Sequence, residues 1–292
     1  MNGILTDCRG ERLLPILEGI SPLEGKTFAA FGDSITEFVY GGKGWLEYAS
    51  DIYGCKMLRC AVGGSHIESA ASLSTDIASL PSYQRYDWLS IYRIIEAIKN
   101  KAFTGPENAV HFLAEGGDDN TSQLETWKIL SNTRFQNVDG VIIMAGTNGF
   151  SIADKGTLNW DDYDCTKQFS AMNASIKMLL ETAPHLAIYI VTPPPRYGNG
   201  LGENWTEWDD SLYSDHYENG VEPPMIKLVN GLKEICRINN VTCIDLHHNL
   251  GINRYTFSDY FNNKTDGIHP LLGLKRIAKC ICSGIISSNT LR

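Results

Sequence analysis

The chain has 292 residues, with 25 basic against 34 acidic side chains (formal charge −9), 43% apolar and 20% charged. That balance belongs to globular proteins and excludes disordered or fibrous chains, while the acid excess, without any stripe of clustered Lys and Arg, excludes a nucleic-acid binder. The longest apolar runs, Val141 to Ala145 and Leu186 to Val191, are far too short to cross a bilayer, so no membrane insertion is expected.

After an N-terminal extension over residues 1–26, strand and helix signals alternate. Thr27 to Phe31 is a short apolar strand ending at Gly32, and Gly44 to Tyr53 is the helix after it. Met57 to Val62 is the second strand and ends in the Gly63-Gly64 pair. Trp88, Ile91, Tyr92, Ile95 and Ile98 then recur at helical spacing on one face. Val138 to Ala145, with the β-branched run Val141-Ile142-Ile143 inside it, reads as a strand covered on both faces. Phe169, Met172, Ile176 and Leu179 make a second helical stripe, followed by a strand over His185 to Thr192 that Pro193-Pro194-Pro195 stops. Met225, Leu228, Val229, Leu232 and Cys236 form a third stripe, Val241 to Leu246 the fifth strand, and Leu271, Leu274, Ile277, Ala278 and Ile281 the last helix, with Pro270 suited to its first turn. Alternation of this kind predicts one doubly wound domain over 1–292, a parallel sheet with helical crossovers. Two segments, 65–137 and 196–220, exceed what a crossover needs, and long segments of that sort are commonly functional or disordered.

Chemistry-bearing residues fall at the strand ends, where open α/β sheets build their sites. Gly32-Asp33-Ser34-Ile35-Thr36 presents a serine just past the first strand. Asp266-Gly267-Ile268-His269-Pro270 places a histidine on the loop before the last helix, since a residue preceding proline is pushed out of the helical region. Either element alone is ordinary turn chemistry. Together they can converge, because serine needs a base to become a nucleophile and the base needs an orienting acceptor. Gly63-Gly64 and Gly146-Thr147-Asn148 follow the second and third strands and offer a backbone N–H and a side-chain amide to a developing oxyanion.

With these four ordered blocks the chain resembles the SGNH (GDSL-like) hydrolase superfamily. The resemblance spans residues 32–269 and leaves 65–137 and 196–220 uncovered. It implies a flavodoxin-like three-layer α/β/α sandwich with a five-stranded parallel sheet, and neither metal nor cofactor. It also implies Ser34 as nucleophile, His269 as its base, Asp266 as orienting carboxylate, and an oxyanion hole from Ser34, Gly64 and Asn148. One position departs from the pattern: many members read Gly-x-Asn-Asp in the third block, whereas Gly149 follows Asn148 here.

The remaining candidates are weighed on chemistry. Asp245, His247 and His248 look like metal ligands, but adjacent histidines at a strand end point opposite ways, so no metal is expected. Eight cysteines are too dilute for a disulfide scaffold and lack zinc spacing, which leaves buried thiols. Glu115, Asp118 and Asp119 are most simply a solvated turn. His66, just past Gly64, and Arg196 are candidate substrate-binding residues. So are Trp205 and Trp208, which lie with Tyr213 and Tyr217 among polar neighbours in the 196–220 segment, where aromatic faces suit sugar rings or anchor the loop. The expected function is a serine esterase removing short acyl groups, acetyl foremost, from a small-molecule or glycan ester. A lipase or lysophospholipase of the same fold and a non-catalytic glycan-recognition module are the alternatives. Residues 1–20 lack a signal-peptide core, so the default compartment is cytoplasmic, with a trimmed secreted form or a virion-borne domain as the other possibility.

Overall fold

Apolar runs bounded by glycine and proline become the strands of one sheet. In the computed structural model, residues 21–291 are described except 75, 77, 78, 81, 116–120, 198–209, 217–220 and 262–265. The strands are β1 (Thr27–Gly32), β2 (Lys56–Ala61), β3 (Gly140–Met144), β4 (Ala187–Val191) and β5 (Thr242–Ile244). All pair in parallel, in the order β2-β1-β3-β4-β5.

Period-two alternation sends each strand's side chains to two separate cores. Ala29, Phe31, Val141, Ile143, Ile188 and Ile190 face one layer, while Phe28, Ala30, Ile142, Met144, Tyr189 and Val191 face the other. The first layer is covered chiefly by α4 (Ile91–Asn100), α7 (Gln168–Thr182) and α8 (Pro224–Asn239). The second is covered by α2 (Trp45–Tyr53) and α10 (Leu274–Ser288). The result is the flavodoxin-like α/β/α sandwich.

The 65–137 segment differs from its expectation. It holds α3 (Ser82–Trp88), α4, α5 (Thr104–Glu115) and α6 (Thr121–Asn132), so it is largely helical. The stripe from Trp88 to Ile98 is divided between α3 and α4. Ser90 caps α4 by accepting from Arg93 N–H, and the first N–H groups of α4 go to the loop after β2 (Ile91 to His66 O, 2.9 Å). Likewise β5 stops at Ile244 because Asp245 caps the short helix α9 (Leu246–Asn249), accepting from His248 N–H at 3.2 Å. Leu271 lies on a 3₁₀ turn ahead of α10. The described cysteines are free thiols, with Cys55, Cys60, Cys236 and Cys282 buried and Cys165, Cys243 and Cys280 only half-buried.

Gly231 in α8 tests the close helix packing over the first core. A β-carbon there stands 2.0 Å from the Phe169 ring. Alanine gains about 1 kcal/mol of helix propensity, but overpacking costs on the order of 1–3 kcal/mol. Gly231→Ala is therefore expected to lower the unfolding free energy in a denaturant titration, with Phe169→Leu in the same chain recovering much of the loss. A more stable single variant would contradict this packing.

Candidate active site

The strand order reverses between β1 and β3, and in doubly wound sheets the crevice lies outside the carboxyl ends at that point. β1 runs into Asp33, whose carboxylate accepts from Ile35 N–H at 3.0 Å and so caps α1 (Ser34–Glu37). Ser34 is thereby the first residue of a one-turn helix at the switch point.

His269 reaches it from the other end of the chain. Asp266 accepts from Ile268 N–H (2.9 Å) and His269 N–H (3.1 Å), folding the loop into a turn. Tyr197 N–H fastens that turn by donating to Gly267 O at 2.9 Å. In this arrangement the Ser34 hydroxyl donates to His269 Nε2 at 2.8 Å, and His269 Nδ1–H donates to Asp266 Oδ2 at 2.8 Å. Burial works against the Asp266 carboxylate. Hydrogen bonds and charge from His269, with the two backbone donors, outweigh it and hold the group below the usual carboxylate range. Phe38 packs against the imidazole, ring centroids 4.6 Å apart and the planes tilted by 49°.

The two glycine-bearing loops stand against each other. Gly64 has φ +80°, and a β-carbon there meets the Tyr86 ring at 2.5 Å, so only glycine fits. The Asn148 amide donates to Ser65 O at 3.1 Å, joining the third block to the second. Glu37 was not singled out in the sequence. It lies three residues after Ser34, is buried, and accepts from Gly63 N–H at 2.6 Å, tying the nucleophile's helix to the Gly63-Gly64 turn.

Arg196 is buried at 6% exposure, donates to Thr147 O at 3.0 Å and lies over the Phe150 ring. Its charge faces Asp33 and Asp266. It also lines a cavity of about 260 Å³ with Phe150, Tyr213, Ser214 and His216. His66 pairs with Glu68 at 3.2 Å. His247 and His248 do not diverge as expected: both lie on α9 with ring centroids 5.0 Å apart, edge to face, His247 between Pro193 O and Asp215 and His248 paired with Asp245. Among the described residues no cluster suited to a metal ion occurs. Trp205, Trp208, Tyr217, Asp118 and Asp119 lie outside the described residues.

Asp33 is the most perturbed carboxyl of the site, pushed up to about 6 by burial. Hydrogen bonds from Ile35 and Thr147 N–H and the charges of His269 and His66 offset only part of that. An acid whose pKa is raised on folding binds its proton more tightly in the native state, so stability falls as pH rises from the unfolded value to the folded one. Wild type is therefore expected to lose on the order of 2–3 kcal/mol relative to Asp33→Asn between pH 4 and 7. Parallel stability–pH curves for the two proteins would contradict a buried, titrating Asp33.

No family model matches the chain, and no curated protein does. Solved structures match along nearly the whole length. One, 19% identical with a TM-score of 0.59, covers 92% of this chain and 99% of its own. A protein from Lactobacillus plantarum is 14% identical with a TM-score of 0.53, covering 91% and 98%. A protein of Chitinophaga pinensis DSM 2588, described as a possible lipase, is 16% identical with a TM-score of 0.53, covering 90% and 99%. The likeness is one of fold. The chain has a three-layer α/β/α fold with strand order β2-β1-β3-β4-β5, in which the first three blocks follow β1, β2 and β3 and the fourth lies on the loop before α10.

Proposed function

We propose that the protein is a serine esterase that removes short acyl groups, acetyl foremost, from a carbohydrate by way of an acyl-enzyme. The observation that carries this reading is the hydrogen-bonded series Ser34–His269–Asp266, with 2.8 Å at each step. In the first half-reaction Ser34 Oγ bonds to the acyl carbon while its proton passes to His269 Nε2. The carbonyl oxygen becomes an oxyanion, held by the N–H groups of Ser34 and Gly64 and by the Asn148 amide. The bond to the acceptor oxygen then breaks, and His269 returns the proton to that oxygen. In the second half-reaction water bonds to the acyl carbon as His269 takes its proton, the bond from that carbon to Ser34 Oγ breaks while His269 returns the proton to Oγ, and the carboxylic acid leaves. Asp266 stays ionised throughout and stabilises the imidazolium.

A carbohydrate acceptor draws support from the aromatic and polar make-up of residues 196–220, and from the cavity in which Arg196 meets Phe150, Tyr213 and His216. A lipase reading has one observation in its favour. Phe38, Val39 and Tyr40 are 39%, 50% and 42% exposed, and Phe38 lies against His269.

Ser34→Ala is expected to lower kcat by about three powers of ten or more while leaving thermal unfolding in place. An organophosphonate probe should label wild type at Ser34 and leave the variant unlabelled. Retention of more than about a tenth of the wild-type rate would remove Ser34 from the chemistry, and an unlabelled, inactive wild type would favour the glycan-recognition module.

Acyl length separates the two esterase classes. On p-nitrophenyl esters kcat/KM should peak at acetate or butyrate and decline with longer chains. A maximum at octanoate or beyond would assign the exposed Phe38-Val39-Tyr40 surface to acyl binding and replace the acetylesterase by a lipase.

A further inference from the structure

Position 149, where the third block lacks its carboxylate, is not empty space. Gly149 has φ +72°, and a β-carbon there stands 2.9 Å from Glu68 Oε1 and 3.0 Å from His66 Nδ1. A carboxylate from the loop after β2 already occupies the site. Glu68 pairs with His66 Nδ1 at 3.2 Å, its side chain is only 12% exposed, and its Oε2 is buried without a hydrogen-bond partner.

The pair sits where the two loops meet. His66 follows Gly64 by two residues, its carbonyl accepts from Ile91 N–H at 2.9 Å, and the Asn148 amide reaches the neighbouring Ser65 O at 3.1 Å. His66 is thus flanked by Gly64 along its own loop and by Asn148-Gly149 across the junction. We propose that Glu68 is a positioning residue: it supplies the carboxylate absent at position 149 and, through His66, keeps a positive charge beside the Gly64 and Asn148 donors. This rests on the esterase reading above, since only an oxyanion gives that charge a purpose.

The surrounding charges support it. Burial works against a charged His66 ring, but the hydrogen bond and charge of Glu68, with Asp87 of α3 and Asp33 at the end of β1, outweigh it and raise its pKa. Of the nearby cations, Lys155 faces Glu68 and Arg93 faces Asp87. A histidine whose pKa is raised is charged below that value and neutral above it, so its contribution disappears as pH rises. The pH profile of kcat/KM on p-nitrophenyl acetate then has an alkaline limb, in addition to the acid limb of the general base.

The test is that profile for wild type, His66→Asn, Glu68→Gln, Glu68→Ala and Glu68→Ala/Gly149→Asp. Wild type should lose roughly tenfold along the alkaline limb. His66→Asn should abolish the limb and run near the low level at every pH. Glu68→Gln and Glu68→Ala should move it to lower pH by about one unit, and the added aspartate should bring it back, since Asp tolerates positive φ better than most residues. An alkaline limb absent from wild type, or unchanged in His66→Asn, overturns the proposal, as does a folded double variant that stays with Glu68→Ala. In the Ser34→Ala protein, NMR titration of the His66 ring reads the pair without turnover, and an unshifted titration on adding Glu68→Gln also overturns it. Failure of wild type to hydrolyse any ester would instead sink the esterase reading, and the ring titration separates the two failures.

Discussion

Ser34 and His269 are 235 residues apart in sequence, and the 2.8 Å between them depends on where the sheet changes direction. β1 lies between β2 and β3, so the loops leaving all three strands open on one crevice. β1 delivers the serine, β2 the Gly63-Gly64 turn and β3 Asn148. The last loop then needs only to reach over the carboxyl ends, and the hydrogen bond between Tyr197 and Gly267 fixes it there. A parallel sheet buried on both faces makes this platform rigid, since every strand is held by packing from two layers.

Around that platform the polar groups form a connected set. Asp33 caps the nucleophile's helix, Glu37 holds the Gly63 amide, and Arg196 holds the carbonyl of Thr147 while facing Asp33 and Asp266. Burying such charges is costly unless each is partnered, so their presence here is better explained by geometry than by stability. Each one fixes a backbone group next to a residue of the Ser–His–Asp series or to a candidate oxyanion donor. The raised pKa of Asp33 is the sign of that cost.

Much of this was legible in the sequence, for physical reasons. A strand buried on both faces must be apolar throughout, which made β1, β3 and β4 plain, while Gly, Ser and Asn at strand ends and Asp-x-x-His before the last helix located the site blocks. What stayed hidden depended on contacts across the fold. Periodicity ran Trp88 into the next helix because it cannot see Ser90 capping α4 or His66 O taking the Ile91 N–H. Glu37 had a signal, its three-residue spacing from Ser34, but its partner Gly63 is 26 residues away. Glu68 had none, because it comes to lie beside Gly149 only once β2 and β3 flank β1.

The proposed reaction turns on a covalent bond to one oxygen. Rapid acid quench of the enzyme mixed with p-nitrophenyl acetate, followed by digestion and mass spectrometry, reads that bond directly. One acetyl group is expected on the peptide containing Ser34, accumulating before steady state and discharging as substrate is exhausted. An unmodified Ser34 during active turnover, or an acetyl group on another side chain, would contradict it.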